Sequence, residues 1–330
     1  MSVPSEKIHF KKRRSTRVLI NEHASKELIF AVVGPVGSGT TSVALKLSQL
    51  AATSLNTQRV IHIKASEVIA QSINPTDLKD KGPLERASLL QDAGDSLRKD
   101  DEPAIGALLV AEIKAQRAKF DEADKTPNAG DVSLLHADKR REQHRVYILD
   151  SLKHPAEVEL LRAVYREAFC LVGVVCEEGV RESRLSTGKC QDSSLKEIRA
   201  LMKRDEDAEQ SWGQKVSKTF HMSDFFVDNT PDRMVNDKEN PAWVVPDKLG
   251  RLLDVLIGEK IVRPLPSETG MFHAYGAQLR SACLSRQVGA ALTDSNGNVI
   301  ATGTNEVPKA GGGVYGGDFA SEGGEGADER

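Results

Sequence analysis

The feature that most limits what this chain can fold into is an unbroken apolar run, Leu28-Ile29-Phe30-Ala31-Val32-Val33. It runs straight into Gly34-Pro35-Val36-Gly37-Ser38-Gly39-Thr40-Thr41. Apolar residues without polar alternation read as a strand buried on both faces, which needs helices above and below a mostly parallel sheet. Beyond the glycines, Ser42 to Ala52 sets Val43, Ala44, Leu47 and Leu50 along one side of a helix. Strand, glycine loop and helix form the opening unit of a doubly wound α/β domain.

The alternation continues. Val60 to Lys64, Val146 to Ser151, Cys170 to Cys176 and Asp224 to Asp228 read as strands. Leu84 to Arg98, Ile105 to Phe120, Pro155 to Ala168 and Asp247 to Leu256 read as helices, with Asp121 to Gln143 a polar loop or insertion. Arg263-Pro264-Leu265-Pro266 punctuates the chain, so residues 1–21 are expected as a basic tail, 22–262 as one domain and 263–330 as a second. In the second part Met271 to Leu284 reads as a helix. Asp294-Ser295-Asn296-Gly297 joins two short strands, Val288 to Thr293 and Asn298 to Thr304. From Gly303 to Gly326 there are 9 glycines and no apolar periodicity, so no further core is expected there.

The loop carries the first chemistry. Gly34-x-x-x-x-Gly39-Thr40-Thr41 nearly fits GxxxxGK[ST], in which glycines turn backbone N–H groups inward and a helix N-terminus adds positive potential. Gly34, Gly37, Ser38, Gly39, Thr40 and Thr41 are therefore candidate phosphate-binding residues. Thr41 stands where a hydroxyl would hold Mg²⁺ beside a nucleotide. Asp150, ending an apolar strand, reads either as a metal-linked carboxylate or as a cap on the next turn. Thr40 stands where the motif has Lys, so a phosphate site needs a cation from elsewhere. Arg181, Arg184, Lys203 and Arg204, all in helical segments, are the candidates, each balanced against an ordinary solvated face.

Composition narrows the partners. Lys and Arg total 45 against 48 Asp and Glu, a net charge of −3, which excludes a strongly basic nucleic-acid wrapper. Aromatics at 5% argue against a stacking platform for single strands. The run Lys11-Lys12-Arg13-Arg14 has no apolar stretch behind it of signal-peptide length, and no segment suits a membrane span. The 4 cysteines show no CxxC spacing, which suits a reducing cytoplasm.

The order of pieces in the first part resembles nucleoside and nucleotide kinase-like phosphate-loop domains. The span from Val146 to Cys176 is similar to the segment that precedes a deaminase in a bacterial two-part family. Ser281-Ala282-Cys283-Leu284-Ser285-Arg286-Gln287-Val288-Gly289-Ala290-Ala291-Leu292 resembles the opening of the cytidine and deoxycytidylate deaminase fold, where a helix carrying RSxCxxRQVGA leads into the first strand. Ala301-Thr302-Gly303-Thr304-Asn305 matches the TGxN element ending the second strand. The match covers roughly residues 271–308.

With the loop domain in front, the chain resembles the bacterial anti-phage dCTP deaminases. That resemblance implies deamination of deoxycytidine nucleotides, dCTP and in some members dCMP, in antiviral defence. The front domain would be the regulator, responding to a nucleotide or to an inhibitory RNA or protein, in a homo-oligomer. It also implies that Asn305 bonds a sugar hydroxyl and that Arg286 and Gln287 lie near the nucleotide. The alternatives are a loop turn-former for Asn305 and helix C-terminal capping for Arg286. The family's Zn²⁺ needs H-x-E and P-C-x-x-C, and neither occurs. No catalytic or metal residue is therefore assigned, and the zinc set is expected beyond Arg330, with the second part poorly packed by itself. A nucleotide-binding regulator without catalysis and a nucleotide kinase stand as the alternatives.

Overall fold

A computed structural model of the chain describes residues 27–73, 75–79, 81–125, 144–208, 210–258 and 260–305. The basic tail, most of the expected 121–143 loop and the glycine-rich end beyond Asn305 lie outside the described residues. The chain divides into two compact units, Met1–Ile257 and Gly258–Arg330, whereas the proline punctuation places the change at 262/263.

The first unit is a mixed α/β fold. Its elements open with β1 (Glu27–Val33), α1 (Thr40–Ser54), β2 (Val60–Lys64), α2 (Ala65–Ala70), α3 (Pro75–Leu78), α4 (Pro83–Asp100) and α5 (Ala104–Lys125). Then come β3 (Arg145–Asp150), α6 (Pro155–Tyr165), β4 (Phe169–Val175), α7 (Glu178–Arg184), α8 (Leu195–Glu206), α9 (Val216–His221) and β5 (Phe225–Asp228). A small hairpin of β6 (Met234–Val235) and β7 (Lys238–Glu239) precedes α10 (Val245–Ile257).

Strands β1 to β5 form one parallel sheet in the order β2-β3-β1-β4-β5. Alternate residues of β1 point to opposite faces, and both faces are covered, which is why the run has no polar break. Ile29, Ala31 and Val33 pack with Val68 of α2, Ile105 and Leu109 of α5, Val158 and Leu161 of α6 and Val216 of α9. Phe30 and Val32 pack with Val43, Ala44 and Leu47 of α1 and Leu249 and Leu253 of α10. Each such buried aliphatic side chain contributes roughly 1.5–3 kcal/mol.

In the first unit most elements lie within two residues of their expected ends, with two corrections of substance. Helix α6 stops at Tyr165, because Arg166 takes a left-handed φ of 48°, and one 3₁₀ turn covers 166–168. Helix α5 continues five residues into the stretch expected as loop, to Lys125.

The second unit contains α11 (Pro266–Gln278) and an antiparallel pair, β8 (Gly289–Thr293) and β9 (Val299–Thr304). The helix was expected at 271–284 and begins five residues earlier. Pro266 suits the first helical position and the Glu268 carboxylate accepts the Leu265 N–H at 2.7 Å. It ends before Ser281, whose hydroxyl accepts the Cys283 N–H and donates to Asn305, drawing the chain out of the helix. The expected turn forms: the Asp294 carboxylate accepts the N–H groups of Asn296 and Asn298, and Gly297 has φ 85°. Helix and hairpin meet at Gly289, where a Cβ would stand 1.9 Å from the Ala274 carbonyl oxygen. No helix among the described residues is long and apolar enough to cross a membrane.

Candidate functional site

In the sheet order, β2 and β3 lie on one side of β1 and β4 and β5 on the other. The connections leaving β1 and β3 therefore part in opposite directions, which opens a crevice at the carboxyl ends of the central strands. The glycine loop closes that crevice between β1 and α1. Gly37 and Gly39 have φ of 84° and 83°, and a Cβ on Gly39 would come within 2.4 Å of Asn229 Nδ2. That amide donates to the Ser38 carbonyl at 2.7 Å, and its oxygen accepts the Trp243 indole N–H at 2.8 Å. Asn229, one residue past β5, thus pins the loop from behind, and only glycine fits between them. The first-turn N–H groups of α1, from Thr40 onward, have no carbonyl ahead of them in the helix.

Asp150 ends β3 beside this loop and is 4% exposed. His62 Nε2 donates to its Oδ2 at 3.3 Å, and the Thr41 hydroxyl stands close enough to help lower its carboxyl. Burial pushes the Asp150 carboxyl upward. The bond from His62 and the nearby Thr41 hydroxyl, with the charge of Lys153, outweigh that and hold it below the usual carboxylate range. Asp150, which the sequence allows as a metal-linked carboxylate or as a turn cap, thus stands beside the loop hydroxyl of Thr41.

The proposed cations separate clearly. Arg181 on α7 lies against the loop, with its carbonyl 2.9 Å from where a Gly37 Cβ would stand. It is 5% exposed and its Nη2 meets Glu206 at 3.3 Å. Its Nε and Nη1 are buried with no hydrogen-bond partner among the described residues, and the same holds for the hydroxyls of Ser38 in the loop and Ser151 just past Asp150. Buried polar groups are rarely left so, and their concentration here is what a polar ligand would answer. Arg184 donates to the carbonyls of Asn229 and Thr230 and to Asp232. Arg204 turns away to Asp92 and Asp95, and Lys203 is exposed.

Sequence reasoning missed Lys153. Its Nζ donates to the Gly34 carbonyl at 3.2 Å and lies 2.8 Å from Asp205 Oδ1. Asp205, 2% exposed, also accepts the Val36 N–H at 2.7 Å. The only signal for Lys153 was its place three residues after the strand-ending Asp150. Nothing in the local pattern at Asp205 announced a contact 169 residues away. Beside the loop, a groove of about 380 Å³ is lined by Gly39, Lys46, Arg184, Asp232, Arg233 and Trp243, with the Arg233 guanidinium 5.6 Å from the Trp243 ring centre.

In the second unit, Asn305 is occupied locally. Its Nδ2 donates to the Arg286 carbonyl at 2.7 Å and its Oδ1 accepts the Val288 N–H at 2.7 Å and the Ser281 hydroxyl at 2.8 Å. Gln287 donates to the Cys283 carbonyl. Hydrogen bonds to the Cys283 sulfur, from Ser285 and from the N–H groups of Arg286 and Ser285, lower its thiol to about 7, whereas burial and then Asp224 push the Cys170 thiol up to about 12. Among the described residues, no three His, Cys, Asp or Glu side chains gather as a metal site. These residues do not fit the zinc that the deaminase resemblance implies. Thr41 and Asp150, a hydroxyl and a carboxylate in contact at the loop, do fit Mg²⁺.

No protein-family model matches the chain. It is similar to a UPF0200/UPF0201 protein of Archaeoglobus fulgidus, with 34% identity over 90 residues, which are 27% of this chain and 26% of that protein. The chain therefore matches about a quarter of that relative's length.

Proposed function

We propose that the first unit is a phosphate-loop domain that binds a nucleotide with Mg²⁺ and regulates deoxycytidine-nucleotide deamination, to which the second unit belongs. The observation that carries the nucleotide reading is the convergence at one crevice of the Gly34–Thr41 loop, the Thr41–Asp150 contact and the unpartnered N–H groups of Arg181. The phosphates would lie on the loop and the α1 N-terminus, with Mg²⁺ between Thr41 and Asp150. The adjoining groove would take the nucleoside, where Arg184 and Arg233 are at hand. The deaminase reading rests on the RQVGA and TGxN resemblance, and its zinc ligands would come from residues outside those described.

A regulator that binds nucleotide and turns nothing over is the second reading, favoured by Thr40 in place of Lys. Calorimetry of the full chain with Mg²⁺ and ATP, GTP, dCTP or dCMP tests the nucleotide site. Saturable binding of at least one supports it, and heat-silent titrations with all four contradict it. Release of ammonia from dCTP or dCMP in the presence of zinc separates the two readings.

A further inference from the structure

A phosphate chain held by backbone N–H groups alone lacks the ion pair that a fixed side-chain cation adds. The motif's own ammonium is missing at Thr40, and two arginines near the loop have other duties. Arg184 serves carbonyls and Asp232, and Arg204 serves Asp92 and Asp95. Lys153 is placed differently. It reaches the first residue of the loop from the end of β3, and an ammonium has three donors. Among the described residues one goes to the Gly34 carbonyl and one to Asp205, which leaves the third. Lys153 follows the strand-ending Asp150 by three residues, and its charge is among the influences that lower the Asp150 carboxyl.

Its stem is held at both backbone ends. The Lys153 N–H donates to Glu157 Oε2 at 2.9 Å, and its carbonyl accepts the Lys215 N–H at 2.8 Å. Glu157 is itself locked by a buried ion pair with Arg98 at 2.8 Å. The ammonium is thus preorganised beside the loop, and Asp205 holds both it and the Val36 N–H of the loop.

We propose, resting on the phosphate-binding reading above, that Lys153 is a phosphate-binding cation of this loop, joining Arg181 and supplying from the β3 side the ammonium that Thr40 lacks. The motif's lysine has then been moved, and the site is built for a polyphosphate.

The test is calorimetry on the full chain with Mg²⁺ and sodium tripolyphosphate, which removes any contribution of a base. Lys153→Met is expected to weaken binding about tenfold or more, the scale of one charge-assisted hydrogen bond. Lys248→Met, the same change at an exposed position of α10, is expected to leave it unaltered. Adding Thr40→Lys to Lys153→Met is expected to restore affinity to within about threefold of wild type. Equal binding by wild type and Lys153→Met overturns the proposal, and so does a loss that Thr40→Lys fails to restore. Should Lys153→Met not fold, Thr40→Lys in the wild-type background decides. A change within about threefold fits a site that already holds its cation, and a gain of about tenfold shows that it held none. Failure of wild type to bind both tripolyphosphate and Mg²⁺-nucleotides overturns the phosphate reading itself.

Discussion

Strand β1 and the β8–β9 hairpin both carry Ala, Val, Leu and Ile, and these residues meet opposite fates in the two. Ile29 to Val33 are at most 1% exposed, whereas Leu292 and Ile300 are 61% and 63% exposed. In α11 the buried side chains are Ala274 and Ala277, while Met271, Phe272 and Tyr275, and Leu279 just past the helix, are exposed. Composition therefore does not decide burial; the number of covering layers does. Two helical layers close over β1, and one helix meeting a two-stranded sheet at Gly289 cannot make an equivalent core.

The contrast breaks most sharply at its best-buried ion pair. Glu157→Ala leaves Arg98, at 1% side-chain exposure, with Asp95 at 3.3 Å as its one remaining ion-pair partner among the described residues, and is expected to cost about 3–5 kcal/mol in urea unfolding. Ile300→Thr in the hairpin is expected to stay within about 0.5 kcal/mol. A similar loss from both would mean that the hairpin carries as much stability as the sheet. Gly39→Ala comes next. A non-glycine residue at φ 83° costs on the order of 1–3 kcal/mol, and the contact with Asn229 adds to it. Nucleotide binding should be lost with it, read by calorimetry. The matching change in the second unit, Gly289→Ala, should speed amide exchange across β8 and β9 while leaving β1 protected.

These predictions also mark what the sequence made legible. The glycine loop, the burial of β1 and the strand–helix alternation could be read because each is written in consecutive residues. Asp150 could be nominated because it ends a strand. Lys153 and Asp205 could not, since they meet the loop only in the folded chain, Lys153 from the turn before α6 and Asp205 from the end of α8. The offset in α11 has a similar source. Its apolar residues face outward, so they do not mark the helix ends, which Pro266 and Ser281 set instead.

Two smaller effects sharpen the comparison by pH. Because the Asp150 carboxyl is held below its usual range, its contribution is fully present above about pH 4, the ordinary carboxylate value. It is lost as pH falls through the lower folded value. Stability of wild type minus that of Asp150→Asn, followed by urea unfolding, should therefore shrink on acidification; a difference that grows would contradict the contacts with His62 and Thr41. The thiols differ without any stability effect: alkylation of Cys283 should rise with a midpoint near pH 7, while Cys170 stays unreactive until the sheet unfolds.

The most direct measurement is an amide NMR titration of the full chain with Mg²⁺ and ATP. If the crevice at β1 holds nucleotide phosphates, saturable shifts will centre on the N–H groups of Gly37, Gly39, Thr40 and Thr41. Shifts absent there, or scattered over exposed lysines, would show that this loop is a turn and nothing more.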